Sequence, residues 1–180
     1  MKTKDAEYMK RQDGDTTVFE VTPAPAPKFT YLLIIGGVTA LLGLGTLGAG
    51  FGIIFLAMAA FCFWYGWFRD IRPKAHRSPT TFRVTPTSVG VDGRTFQKDD
   101  IHRLILRNGI TDQELSGVQI TTTNTNVAAG MAFRAQAARV ANSLNVESGG
   151  KSTILAGGMD ETTAYGLLHD VSKVLDMKIS

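Results

Sequence analysis

The chain has 180 residues, 44% of them apolar and 19% charged, with a formal net charge of +3. That length holds one ordinary domain and something small beside it. Residues 29–68 contain no Asp, Glu, Lys, Arg or His, which excludes a uniformly polar globule and excludes disorder for the middle of the chain.

Residues 1–28 read as a polar N-terminal tail in which five basic side chains balance five acidic ones. The tail has no short apolar core and no small-residue cleavage site, so it is not a secretory signal. It holds one β-like patch, Thr16 to Val21, followed by the stiff spacer Pro23-Ala24-Pro25-Ala26-Pro27. The patch reads as weakly ordered, with edge pairing to the C-terminal domain or to a partner as the other reading.

The apolar run 29–68 is forty residues long. At about 1.5 Å per residue a single helix would reach about 60 Å, twice the hydrocarbon thickness of a bilayer. Two transmembrane helices fit better: 29–47 and 51–68, broken at Gly48-Ala49-Gly50 where glycine crowds. The turn carries no charge, which leaves a re-entrant hairpin open. Gly36, Ala40, Gly43 and Gly52 are the expected helix-packing positions, with Gly36 and Ala40 forming a small-xxx-small pair. Trp64, Tyr65 and Trp67 close the run and suit the headgroup level.

Residues 69–77 form a basic juxtamembrane flank, with Arg69, Arg72, Lys74 and Arg77 against Asp70. This flank accounts for the whole net charge of +3, because residues 78–180 hold ten basic and ten acidic side chains. The expectation is that the flank stays cytoplasmic and brings both termini to that side as a topology signal, with attraction to anionic lipid as the lesser reading. A balanced C-terminal domain argues against nucleic acid as a partner.

Residues 78–180 are enough for one small core. Thr81 to Thr85 and Ser88 to Val91 alternate like strands, and Asp92-Gly93 is a hairpin turn leading into Arg94-Thr95-Phe96. Further strands are read at 101–107, 117–122 and 140–147, and Ser148-Gly149-Gly150-Lys151 turns the chain back into Thr153-Ile154-Leu155. Residues 124–139 read as a helix or a long loop. The chain closes on a helix with Asp160 as N-cap and a stripe of Ala164, Leu167, Leu168, Val171, Val174 and Leu175.

The segment Phe82-Arg83-Val84-Thr85-Pro86-Thr87-Ser88-Val89-Gly90-Val91-Asp92-Gly93-Arg94-Thr95-Phe96, with Asp100-Ile101 after it and Leu155 to Met159 before the last helix, resembles bacterial pleckstrin-homology-like domains. Many such proteins pair the domain with two membrane spans. The resemblance implies an α+β chain: a transmembrane helical hairpin, then a PH-like small β-barrel or sandwich capped by a C-terminal helix, placed as a multi-pass protein of the bacterial inner membrane. It implies interaction or scaffolding rather than catalysis.

The residues supply little chemistry. Gly149-Gly150-Lys151-Ser152 mimics the end of a phosphate-binding loop, but Asn145 stands where the pattern needs glycine. His76, His102 and His169 are scattered, and Cys62 is the one cysteine. Asp99-Asp100 near His102 lacks a neighbouring nucleophile, and Asp160-Glu161 suits a helix N-terminus. No enzyme activity, cofactor or metal is expected. The expected partners are the lipid bilayer and proteins, or self-association through the C-terminal domain. One version of that role is an accessory subunit of an envelope, secretion or conjugation assembly. The alternative is an oligomer that alters permeability, although Thr39 and Thr46 are the only polar groups within the spans that could line a pore.

Overall fold

A computed structural model describes residues 5–112 and 129–177. The strand expected at 117–122 lies outside the described residues. The chain divides into two compact units, one built from segments on both sides of the apolar run and one centred on the run itself.

The first unit opens with an antiparallel hairpin, β1 (Glu7–Asp13) and β2 (Thr16–Thr22), turned at Gly14 with φ +59°. β2 pairs with β3 (Thr80–Thr85), and β4 (Ser88–Val91) and β5 (Arg94–Gln97) complete a five-stranded sheet in sequential order. The β4–β5 turn uses Asp92 and Gly93, both at positive φ, as a type I′ turn requires. A second antiparallel sheet holds β6 (Ile101–Asn108), β7 (Asn142–Ser148) and β8 (Lys151–Met159). Gly149 and Gly150 turn β7 into β8 at φ +58° and +73°, so the phosphate-loop mimic is a hairpin turn.

Numbered after the hairpin helices α1 (Thr30–Gly45) and α2 (Gly52–Phe68), α4 (Glu161–Leu175) belongs to this unit, and α3 (Ala129–Arg139) is divided between the two, with its residues from Arg134 on in this one. The helical reading of 124–139 therefore holds over Ala129–Arg139. The α4 stripe packs on both sheets, where Leu167, Val171 and Leu175 meet Phe19, Phe82, Leu144 and Met159 in one apolar cluster. Asp160 caps α4 by accepting from the Thr163 amide at 3.1 Å, and its other oxygen accepts from the Thr163 hydroxyl at 2.7 Å. That second oxygen also accepts from the Ala6 amide at 3.2 Å, which ties the start of β1 to the cap.

Three expectations are corrected here. The patch Thr16 to Val21 is not weakly ordered: it follows the other reading and pairs with the C-terminal strand β3, with Phe19 and Val21 buried and the Phe19 and Phe82 rings stacked at 5.2 Å. The strands also do not close into a PH-like barrel; among the described residues they form two separate ladders, and the larger borrows two strands from before the apolar run.

The third correction concerns the run itself. It does fold as two helices, with a 3-10 turn at Leu47–Ala49 close to the expected break. Their 16 and 17 residues span about 24 and 26 Å, short of the roughly 30 Å hydrocarbon layer. Among the described residues no helix is long and apolar enough to cross a membrane. The two-span transmembrane reading, and the multi-pass inner-membrane placement built on it, are withdrawn.

Candidate functional site

The hairpin unit is the feature of the chain that ordinary folding leaves least explained. Its seam is made of small residues seven apart. Gly36 and Gly43 on α1 face Gly52, Ala59 and Gly66 on α2, a spacing that keeps one stripe of each helix turned to the other. A Cβ on Gly52 would sit 2.5 Å from the Gly43 carbonyl oxygen, and one on Gly36 would meet the Cys62 Cβ at 3.3 Å. Gly36, Gly43 and Gly52 therefore serve contact within the hairpin, whereas Ala40 is only half-buried. Gly66 is the seam residue that the sequence does not single out; its signal is the spacing 52–59–66, in step with 36–43 on α1.

Small residues inside put the large ones outside. Among the described residues every exposed large apolar side chain except Met9 and Ile154 lies on the hairpin. Leu41, Ile53 and Phe68 are 72%, 70% and 73% exposed. The few polar side chains turn inward on the backbone. The Thr39 hydroxyl donates to the Ile35 and Gly36 carbonyls at 2.9 and 3.0 Å, and the Thr46 hydroxyl donates to the Leu42 carbonyl at 2.8 Å. At the tip the Ala49 amide bonds Thr46 O and the Gly50 amide bonds Leu47 O.

The base is different. The Phe29 amide bonds the Gly66 carbonyl at 3.0 Å and fastens the two helices there. The Phe29 ring lies 5.3 Å from Tyr65 and 6.1 Å from Tyr31. Lys28 Nζ stands 2.9 Å over the Trp67 ring, and the Arg69 guanidinium stands 5.8 Å from Tyr65. Trp64 is exposed beside Phe61, with ring centroids 6.4 Å apart.

The structure breaks up the expected basic flank. Arg72 is buried and donates to the Ala24 carbonyl at 2.6 Å, and Arg77 Nε donates to the Arg72 carbonyl at 2.8 Å. Both arginines hold the first unit together. Lys74 is exposed in a 3-10 turn whose His76 is buried against β8. Lys28, which sequence reasoning left in the tail, joins Arg69 at the hairpin base.

In the first unit a small polar cluster joins β1 to α4. The Tyr8 hydroxyl and Lys10 Nζ both donate to Asp170 Oδ2, at 3.2 and 2.9 Å, fixing β1 to α4. Burial pushes the Asp170 carboxyl up, but hydrogen bonds from Lys10 and Tyr8 and the nearby positive charge outweigh it, so it sits below its ordinary value. Burial, then the Asp170 charge, raise the Tyr8 phenol. A hydrogen bond from Arg103 at 2.6 Å lowers Glu147. An open cleft of about 330 Å³ lies over β3, β4 and β5, with Arg83, Arg94 and Asp92 on its walls and no His, Cys, Ser or Lys. Among the described residues no group of three His, Cys, Asp or Glu could hold a metal ion.

No family model, curated protein or solved structure matches the chain. The resemblance to pleckstrin-homology-like membrane proteins is therefore left without a matching relative, as well as without the barrel it implied.

Proposed function

We propose that this chain is an anchored binding module. The hairpin α1–α2 lodges in the hydrocarbon of a lipid bilayer from one face without crossing it, and the two-sheet unit is the part offered to protein partners. One observation carries the proposal: the hairpin exposes large apolar side chains on all sides while its own backbone satisfies the Thr39 and Thr46 hydroxyls. A protein partner laid along one stripe would leave the other faces in water, whereas lipid covers every face and the tip together. Half-burying each of these side chains contributes on the order of 1 kcal/mol, so the whole surface contributes on the order of 10 kcal/mol.

The tip argues for insertion without crossing. Leu47, Gly48, Ala49, Gly50 and Phe51 bring no side-chain group that hydrogen-bonds water at a far interface. The tyrosine and tryptophan rings of the hairpin and its two cations gather at the base, away from the tip.

The test uses the full chain with Cys62→Ala and a single new cysteine, Ala49→Cys. It should float with phosphatidylcholine vesicles, and the tip thiol should resist a membrane-impermeant maleimide supplied on either side until detergent is added. Failure to float refutes the anchor. Labelling from the far side refutes insertion without crossing. A lipid-free oligomer that hides the tip thiol makes a second copy of the chain the cover.

A further inference from the structure

Resting on the lipid-anchor reading, we infer that the base of the hairpin is a binding site for the phosphodiester headgroup of anionic lipid, with Lys28 and Arg69 as its cations. The two residues bracket the apolar run in sequence: Lys28 comes just before α1 and Arg69 directly follows α2. The Phe29 to Gly66 backbone bond holds both helix ends together at this base. Neither cation hangs free on a flexible stem. Lys28 is seated on Trp67 and Arg69 lies over Tyr65.

Tryptophan and tyrosine rings settle at the headgroup level, between hydrocarbon and water. A cation resting on such a ring is set at the depth of the lipid phosphates. A cation above an aromatic face keeps its other side open to an anion, and Arg69 brings a planar fork that matches phosphate oxygens. Asp70 follows Arg69 and subtracts one charge, so the unit is only weakly basic at long range. The preference then comes from the placement of two cations more than from bulk charge. Free phosphate lacks the hydrocarbon that brings it to this depth, so the site is assigned to lipid.

A basic residue near an anionic surface strengthens binding about fivefold. Counting only the net charge gives about fivefold, and counting both cations in contact gives about thirtyfold. The full chain is titrated with vesicles of phosphatidylcholine alone and of phosphatidylcholine mixed with phosphatidylglycerol. Binding to the mixed vesicles should be tighter by about five- to thirtyfold.

The double variant Lys28→Gln, Arg69→Gln should bind both vesicles equally while keeping the affinity for pure phosphatidylcholine. Trp67→Leu, which keeps apolar bulk and removes the platform, should lose part of the preference. Lys151→Gln, a cation of the other unit, should leave it intact. Equal binding of the parent chain to both vesicles overturns the headgroup site and spares the anchor. A preference that survives the double variant also overturns the site. Absence of binding to either vesicle overturns both.

Discussion

Replacing Phe19 with alanine tests whether the strands before the apolar run belong to the same core as the strands after it. Phe19 is fully buried, stacks on Phe82 at 5.2 Å and 14°, and lies 6.5 Å from Tyr8. Removing a buried phenyl ring costs about 3–5 kcal/mol, counting the lost transfer energy and the cavity left behind. Against a typical total stability of about 5–15 kcal/mol that is a large share. With a urea dependence of about 1–3 kcal/mol per molar, the unfolding midpoint should fall by about 2 M. Both tryptophans of the chain lie on α2, so their fluorescence does not report on this core. The reading should be far-ultraviolet circular dichroism together with amide exchange at β3, since Phe19 pairs with Phe82 in the ladder. Glu20→Ala, the next residue on the same strand but facing outward, is the control and should stay within about 0.5 kcal/mol of the parent. A loss below about 1 kcal/mol for Phe19→Ala would mean that the first strands are an appendage, and the five-stranded sheet would be wrong.

Two further outcomes follow from close contacts in the first unit. Gly157→Ala would place a Cβ 2.5 Å from the His76 ring, which has no room to retreat because even a Cβ on Gly109 would stand 2.6 Å from its other side, so overpacking should cost about 1–3 kcal/mol. The same change in a His76→Ala background should cost far less, because the ring no longer fills the space, and simple additivity of the two losses in chemical unfolding would refute the contact. The Asp170 carboxyl is held below its unfolded value of about 3.9, so its contribution is fully present above that pH and disappears as pH falls through the lower folded value. Acidification through that window should therefore destabilise the parent chain more than Asp170→Asn. The pair itself is worth about 0–1 kcal/mol, because Lys10 is well exposed, and equal acid slopes in thermal unfolding would refute the assignment.

Local chemistry was legible in the sequence and long-range partnership was not. Asp92-Gly93 and Gly149-Gly150 announced their turns because both need positive φ, and the structure has them there. The Asp160 cap and the α4 stripe followed from a period of 3.6 and a side chain that can accept from an amide. The hairpin break followed from crowded glycine. Thr16 to Val21 showed a strand, but nothing in its alternation names a partner more than fifty residues away across an apolar run. β1 was invisible, because its sequence Glu-Tyr-Met-Lys-Arg-Gln-Asp is that of an exposed edge strand with one half-buried ring. Arg72 and Arg77 were read as a charge signal because charge is what sequence displays. That Arg72 is buried on a backbone carbonyl depends on the fold.

The place of the hairpin in the chain explains how so apolar a segment coexists with an ordered two-sheet unit. It is inserted between β2 and β3, which are neighbours in one antiparallel ladder, with Val21 opposite Thr80. The entry and exit of the insertion are thereby brought close together, which is also what a two-helix hairpin needs at its base. Closing a long insertion costs little more than closing a short one, since the entropy grows only with the logarithm of length. The burden falls instead on the junctions. On the first unit's side the Arg72 guanidinium grips the Ala24 carbonyl and the Ala24 amide bonds Gly158, so the strand leading out and the strand leading back are bound to the same core. On the hairpin's side the Phe29 to Gly66 bond and the aromatic contacts close the other end. Each unit thus fixes its own two chain crossings. The hairpin is therefore carried without drawing on the packing of the sheets, which is what the proposed lipid anchor requires.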